Sequence, residues 1–121
     1  MQFKPPKNTE ERSWTKHSLE KMRFYGLSPQ RVLRVLKSPE RCEKAIAPNC
    51  IACMQSVGQK RKTEIWVMYQ NKIRNSKSKI RKNINHKKII TAWRYPGASP
   101  IRGKIPIPKD ILEEIKLELR N

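Results

Sequence analysis

Glu64-Ile65-Trp66-Val67-Met68-Tyr69-Gln70 holds five consecutive apolar residues, most of them β-branched or aromatic, between polar ends. A short apolar run with no helical spacing suits a strand covered on both faces, at the centre of a sheet. Lys88 to Tyr95 repeats the pattern through Ile89-Ile90-Thr91-Ala92-Trp93, which predicts a second central strand. Upstream, Glu43 to Ala47 and Cys50 to Val57 are shorter candidates. Pro48-Asn49 turns the first of these into the second, and Gly58 with Gln59-Lys60-Arg61-Lys62 turns the second into Glu64 to Gln70. The expectation is an antiparallel meander.

Before Cys42 the spacing is helical. Ser13 to Tyr25 places Trp14, Ser18, Leu19, Met22 and Tyr25 on one stripe, with Ser13 or Thr15 as cap and Gly26 as a left-handed stop. Ser28-Pro29 is an N-cap followed by proline at the first helical position, and Val32, Leu33, Val35 and Leu36 give the second helix its apolar face up to Lys37. After the second central strand, Pro96 to Pro108 must be extended or looping. Lys109 to Arg120 then predicts a last helix, with Ile111, Leu112, Ile115 and Leu119 on one side and acidic residues near its start. The expected class is α+β: two N-terminal helices packed on an antiparallel sheet of about four strands, plus a C-terminal helix. Residues 1–12 are expected to be a flexible tail, and 13–121 a single domain.

A chain of 121 residues and 14.3 kDa has room for one core, which excludes a two-domain enzyme. No internal repeat is evident. No apolar run reaches the roughly 18 residues of a membrane span, and Met1 to Arg12 lacks the apolar stretch of a secretion signal. Three cysteines, Cys42, Cys50 and Cys53, make a poor disulfide framework and fit a reducing compartment, so a cytoplasmic location is expected.

Charge points to the partner. Lys and Arg number 28 against 10 Asp and Glu, for a formal charge of +18, and the expected polyanion is nucleic acid. No acidic residue occurs from Ile65 to Lys109. Within that stretch, Asn71 to Lys87 forms a basic arm, expected as a loop or hairpin spanning 71–88. Its cations Lys72, Arg74, Lys77, Lys79, Arg81, Lys82, Lys87 and Lys88, together with Lys60, Arg61 and Lys62, are candidate phosphate contacts. Such contacts give salt-sensitive affinity without sequence specificity. Trp66, Trp93, Tyr69 and Tyr95 could stack on unpaired bases, although central-strand aromatics are normally core; Tyr95, near a strand end, is the best stacking candidate.

Cys50-Ile51-Ala52-Cys53 has the spacing of a metal or redox pair. On a strand, however, residues three apart face opposite ways, and no second ligand pair exists, so no metal or cofactor is implied. His17 is placed in the first helical turn, where the helix N-terminus favours a neutral imidazole, and Lys21 follows one turn later. An imidazole beside a cation is the arrangement for metal-free cleavage of RNA: a base for the ribose hydroxyl and a charge for the phosphate. The bland reading of His17 is a capping or packing residue.

The stretch His17-Ser18-Leu19-Glu20-Lys21-Met22-Arg23-Phe24-Tyr25-Gly26-Leu27-Ser28, with Val32 and Val35-Leu36 after it, resembles a family of small bacterial domains of unknown function. That family is grouped with RelE-, ParE- and BrnT-type toxins. Lys88-Ile89-Ile90-Thr91-Ala92 is similar to its final strand, so the likeness runs from about Thr15 to Tyr95. The resemblance implies two helices on an antiparallel sheet and a metal-independent endoribonuclease acting as a toxin. His17 would be its base or acid, with Lys21, Thr91 and Arg94 around the phosphate, Arg94 by its nearness in sequence and not by a matched position. Tyr25 departs from the family's arginine before glycine, and the long arm and last helix look like additions. Implied partners are RNA or the ribosome and an acidic antitoxin, with no membrane. The rival expectation is a noncatalytic nucleic-acid-binding or ribosome-associated module in which the arm binds and His17 is structural.

Overall fold

The computed structural model describes residues 4–45, 49–58, 60, 62–75, 83–99 and 104–118. The elements run β1 (Arg12–Trp14), α1 (Lys16–Tyr25), α2 (Pro29–Lys37), β2 (Arg41–Lys44), β3 (Cys50–Val57), β4 (Thr63–Asn75), β5 (Asn83–Pro96) and α3 (Lys109–Glu118). Among the described residues, three helices and a mixed sheet make an α+β architecture.

Among the described residues the sheet has five strands, in the order β1-β5-β4-β3-β2, and not about four. The extra strand is β1, which lies parallel to β5 with Arg12 opposite Lys87 and Trp14 opposite Ile89. The sheet is therefore not purely antiparallel, and a strand precedes the first helix. Trp14 belongs to this strand and not to the α1 stripe. Three residues carry no periodicity of their own; β1 is held by long-range partners. Glu11 O accepts from Lys87 N at 2.9 Å, and Trp14 N donates to Asn8 Oδ1 at 3.0 Å. Buried His86 clasps the same segment, with Nδ1 2.7 Å from Glu10 O and Nε2 2.8 Å from Ser13 Oγ. At the other edge, β2 starts two residues earlier than Glu43, and Ile46, Ala47 and Pro48 fall outside the described residues.

Helix ends follow local chemistry. The Thr15 hydroxyl caps α1 by accepting from Ser18 N, and Gly26 closes it at φ 66°. The Ser28 hydroxyl accepts from Arg31 N ahead of Pro29, which needs no amide partner.

Alternation along β4 divides the core between two faces. Ile65, Val67 and Tyr69 meet Met22, Leu27, Val32 and Val35 of the helix pair, with Cys53, Ile89 and Ala92. Trp66 and Met68 meet Ile111 and Ile115 of α3, with Ala52, Met54, Ile90 and Trp93. Trp66 and Trp93 stack at 5.8 Å and are fully buried, so they are core. Tyr69 is buried in the first cluster, and half-buried Tyr95 packs against the second. Buried Glu64 fastens the chain after β5: one carboxylate oxygen accepts the Trp66 indole N–H and the other the Ser99 amide, both at 3.0 Å.

β4 and β5 remain paired as far as Asn75 and Asn83. One irregularity interrupts the ladder: Met68 pairs with Thr91 and Tyr69 with Ile89, so Ile90 is an extra residue on β5.

Candidate functional site

The bulge and the α1 cap are joined. Thr15 accepts the Ser18 amide with its side-chain oxygen and donates its hydroxyl proton to the carbonyl of Ile90, 3.0 Å away, while its own amide donates to Ile89 O at 3.1 Å. This fixes the start of α1 on the irregular part of β5. His17, two residues beyond the cap, is thereby aimed at Thr91.

His17 is 6% exposed and both ring nitrogens are engaged. Nδ1 lies 2.7 Å from Oε2 of Glu114 on α3, and Nε2 lies 2.9 Å from Oγ1 of fully buried Thr91. A carboxylate only accepts, so Nδ1 carries a proton; in the neutral ring, Nε2 then accepts the Thr91 hydroxyl. A hydroxyl, an imidazole and a carboxylate thus stand in one line. This is the order in which an oriented base holds a nucleophile. Thr91, however, is closed off from solvent, so no external substrate reaches its hydroxyl in this arrangement.

Lys21 lies one turn along α1 and meets the same helix. Its Nζ is 3.2 Å from Asp110 Oδ2 and 3.7 Å from Glu114 Oε1. Two pairs spaced by four residues, His17 with Lys21 and Asp110 with Glu114, therefore face each other across the α1–α3 seam. Burial works against the charge on Lys21, but the Asp110 hydrogen bond and the charges of Glu114 and Asp110 prevail and raise it above 10.5. The hydrogen bond from Lys21 lowers Asp110 below 3.8. Burial, reinforced by Asp110, raises the Tyr25 phenol. Phe24, 75% exposed, stands beside the seam with Lys21 Nζ 5.6 Å from its ring centre.

Of the four residues expected at a reaction centre, His17 and Thr91 touch, and Lys21 joins them through Glu114. Arg94 does not join them. Its Nε donates to the carbonyl of Tyr25 at 2.9 Å, which caps the far end of α1, about 12 Å from His17 by helical rise. Asp110 and Glu114 were visible only as acidic residues near a helix start; their spacing, matched to His17 and Lys21, was the available signal.

The candidate phosphate contacts separate into two groups. Lys72, Lys87 and Lys88 lie at the base of the β4–β5 hairpin, with Lys72 opposite His86 and Lys87 opposite Asn71. Lys87 Nζ sits 5.0 Å from the ring centre of Tyr69. Lys60 and Lys62 are exposed at the opposite end of β4, so Lys62 and Lys72 are about 33 Å apart along the strand. Arg74 contributes a backbone position in β4, while Arg61, Lys77, Lys79, Arg81 and Lys82 lie outside the described residues. Two hollows open near the hairpin base. One, of about 660 Å³, is lined by Asn49, Gln70, Asn71, Lys72 and Asn85. The other, of about 350 Å³, lies between α2 and the β1–β5 edge, with Leu33, Leu36, Lys37 and Lys87 among its lining.

Among the described residues, no group of three or more His, Cys, Asp or Glu side chains is placed to hold a metal ion, and no helix is long and apolar enough to cross a membrane. Comparison with known protein families, with curated proteins and with solved structures finds no match to this chain.

Proposed function

We propose that this is an RNA-binding protein whose β4–β5 hairpin carries the contact surface. The observation behind this reading is a one-signed segment, Ile65 to Lys109, which includes nearly all of two long paired strands, β4 and β5. Cations on such a ribbon meet successive phosphates and release their counterions. Amide side chains beside them, those of Asn49, Gln70, Asn71 and Asn85, offer donors and acceptors to the edges of unpaired bases. A ribosomal RNA or another structured RNA with exposed loops is the target class.

In this proposal the noncatalytic module takes precedence, because α3 lays two carboxylates over His17 and Lys21, the groups a scissile phosphate would need. An endoribonuclease is the second reading, favoured by one observation: His17 and Lys21 stand one turn apart on α1 and meet at one seam, a base and a cation for a phosphate once their present partners are exchanged. Cleavage then requires α3 to leave the seam. A toxin of this kind would be held by an acidic antitoxin making the same contacts to His17 and Lys21 that α3 makes within the chain.

The test uses the full chain with total RNA in EDTA. Retardation that weakens steeply with salt, and weakens further in Lys72→Glu, is expected from the binding protein, with RNA lengths unchanged. Fragmentation that disappears in His17→Ala would move the assignment to the enzyme. Absence of retardation at low salt would remove both. Expression in bacterial cells adds the toxin outcome, arrest of growth.

A further inference from the structure

Cys53 has a partner, and it is not Cys50. In the β2–β3 ladder Cys42 is directly opposite Cys53, and the two Sγ atoms are 2.8 Å apart. The amide of Ala45 donates to Cys50 O, so pairs alternate from that point: Ala45 with Cys50 and Glu43 with Ala52 are hydrogen-bonded positions, and Cys42 with Cys53 falls between such positions. At these places opposing Cα atoms approach to about 4.5 Å, inside the span a disulfide accepts. Cys42 is exposed on the edge strand, while Cys53 is buried against Tyr69 in the core beneath the helix pair.

We propose that Cys42 and Cys53 form a reversible oxidation site that closes to a disulfide through exchange with a low-molecular-weight disulfide and fastens edge strand β2 to the sheet. Access sets the order of events. The Cys42 thiolate attacks one sulfur of the external disulfide, forming a mixed disulfide and expelling one thiolate. Cys53 then loses its proton and attacks Cys42 Sγ, which expels the second thiolate. Two electrons pass from the protein sulfurs to the external disulfide, and the two thiol protons end on the two small thiols released. Burial, and next the contact with Cys42, pushes the Cys53 thiol up to about 12, which keeps it out of the first step; its place directly opposite Cys42 is what carries the second. Cys50 is buried and does not share this register.

The consequence lies at the sheet boundary. β2 is a four-residue edge strand carrying Arg41, whose guanidinium meets Glu43 and Ser99 and lies 5.3 Å from the Trp66 ring centre. A covalent tie between β2 and β3 holds these contacts in place and keeps β3 from being uncovered as a new edge.

The full-length protein, reduced and then exposed to glutathione disulfide, is expected to lose two hydrogens in mass and to yield one crosslinked peptide joining Cys42 to Cys53. Cys50→Ser should behave identically. Cys53→Ser should stop at a stable glutathione adduct on Cys42, and Cys42→Ser should give no internal link. Amide exchange across β2 should slow on oxidation of the wild type and not of Cys42→Ser. A link to Cys50, an adduct on Cys42 that persists in the wild type, or thiols that stay reduced would each overturn the proposal. Circular dichroism of the variants before oxidation separates a lost link from a lost fold.

Discussion

The two faces of the sheet are covered in different ways. Under α1 and α2 the contact is apolar and the chain arrives there by short connections with sequence-encoded caps, Thr15 and Ser28. Under α3 Ile111 and Ile115 enter the tryptophan layer with Leu112 packed against it, and polar contacts are added to these: Glu114 to His17 and Asp110 to Lys21. The second cover comes from far along the chain and depends on charge. His17 and Lys21 belong to the first cover but are engaged by the second, so the candidate site is the seam itself. Opening that seam requires only that α3 move.

The largest effect should come from the first face. Met22→Ala removes a fully buried side chain that touches both helices and the sheet, and is expected to cost about 2–5 kcal/mol of global stability. Urea unfolding followed by circular dichroism should show a lower midpoint at unchanged slope. Ile111→Ala, on the second face, should cost less, about 1–3 kcal/mol, because α3 can detach while the remainder persists. Its signature is a red shift of tryptophan emission, as Trp66 and Trp93 meet water, before helical signal from α1 and α2 is lost. Equal, fully cooperative losses in both variants would erase the distinction between the faces.

Thr91→Val keeps the shape of the side chain and deletes the acceptor and donor at His17 Nε2, so it probes the joint between the covers. An imidazole nitrogen left without a partner at a 6% exposed position should cost about 1–2 kcal/mol. His17→Ala should then cost less in the Thr91→Val background than in the wild type, since their contact is already gone while the one to Glu114 remains; additivity of the two substitutions would show that the contact carries no coupling.

What the sequence made legible follows from the range of the interactions. Ser28-Pro29, Thr15 and Gly26 act within a few residues, and α2 and the end of α1 lie where those signals put them. The runs around Trp66 and Trp93 announce central strands because both faces are apolar. β1 was illegible because Arg12-Ser13-Trp14 owes its form to Lys87 and His86, more than 70 residues away. The Ile90 bulge was hidden for the same reason, since only the pairing of Met68 and Tyr69 reveals it. Within the site, His17, Lys21 and Thr91 were nameable from residue type and resemblance, whereas Glu114 and Asp110 needed the fold; Lys21 and Asp110 are 89 positions apart. Cys50 to Cys53 offered a conspicuous spacing, while the real neighbour of Cys53 was set by strand register.

Asp110→Asn should have the smallest effect and the clearest dependence on pH. The folded Asp110 carboxyl lies below its ordinary 3.8, so its contribution is complete above that value and is lost as pH falls through the lower folded value. Folded Lys21 lies above its ordinary 10.5, so its contribution is complete below 10.5 and is lost as pH rises through the higher folded value. The thermal midpoint of the wild type should therefore exceed that of Asp110→Asn by a constant margin from mildly acidic to mildly alkaline conditions, and the two should converge at both extremes. Because Asp110 is largely solvated, screening limits the margin to at most about 1 kcal/mol, and added salt should shrink it. A margin of zero even at low salt would place the holding force in Ile111 and Ile115 alone, and α3 would then be as firmly set as the helix pair on the other face.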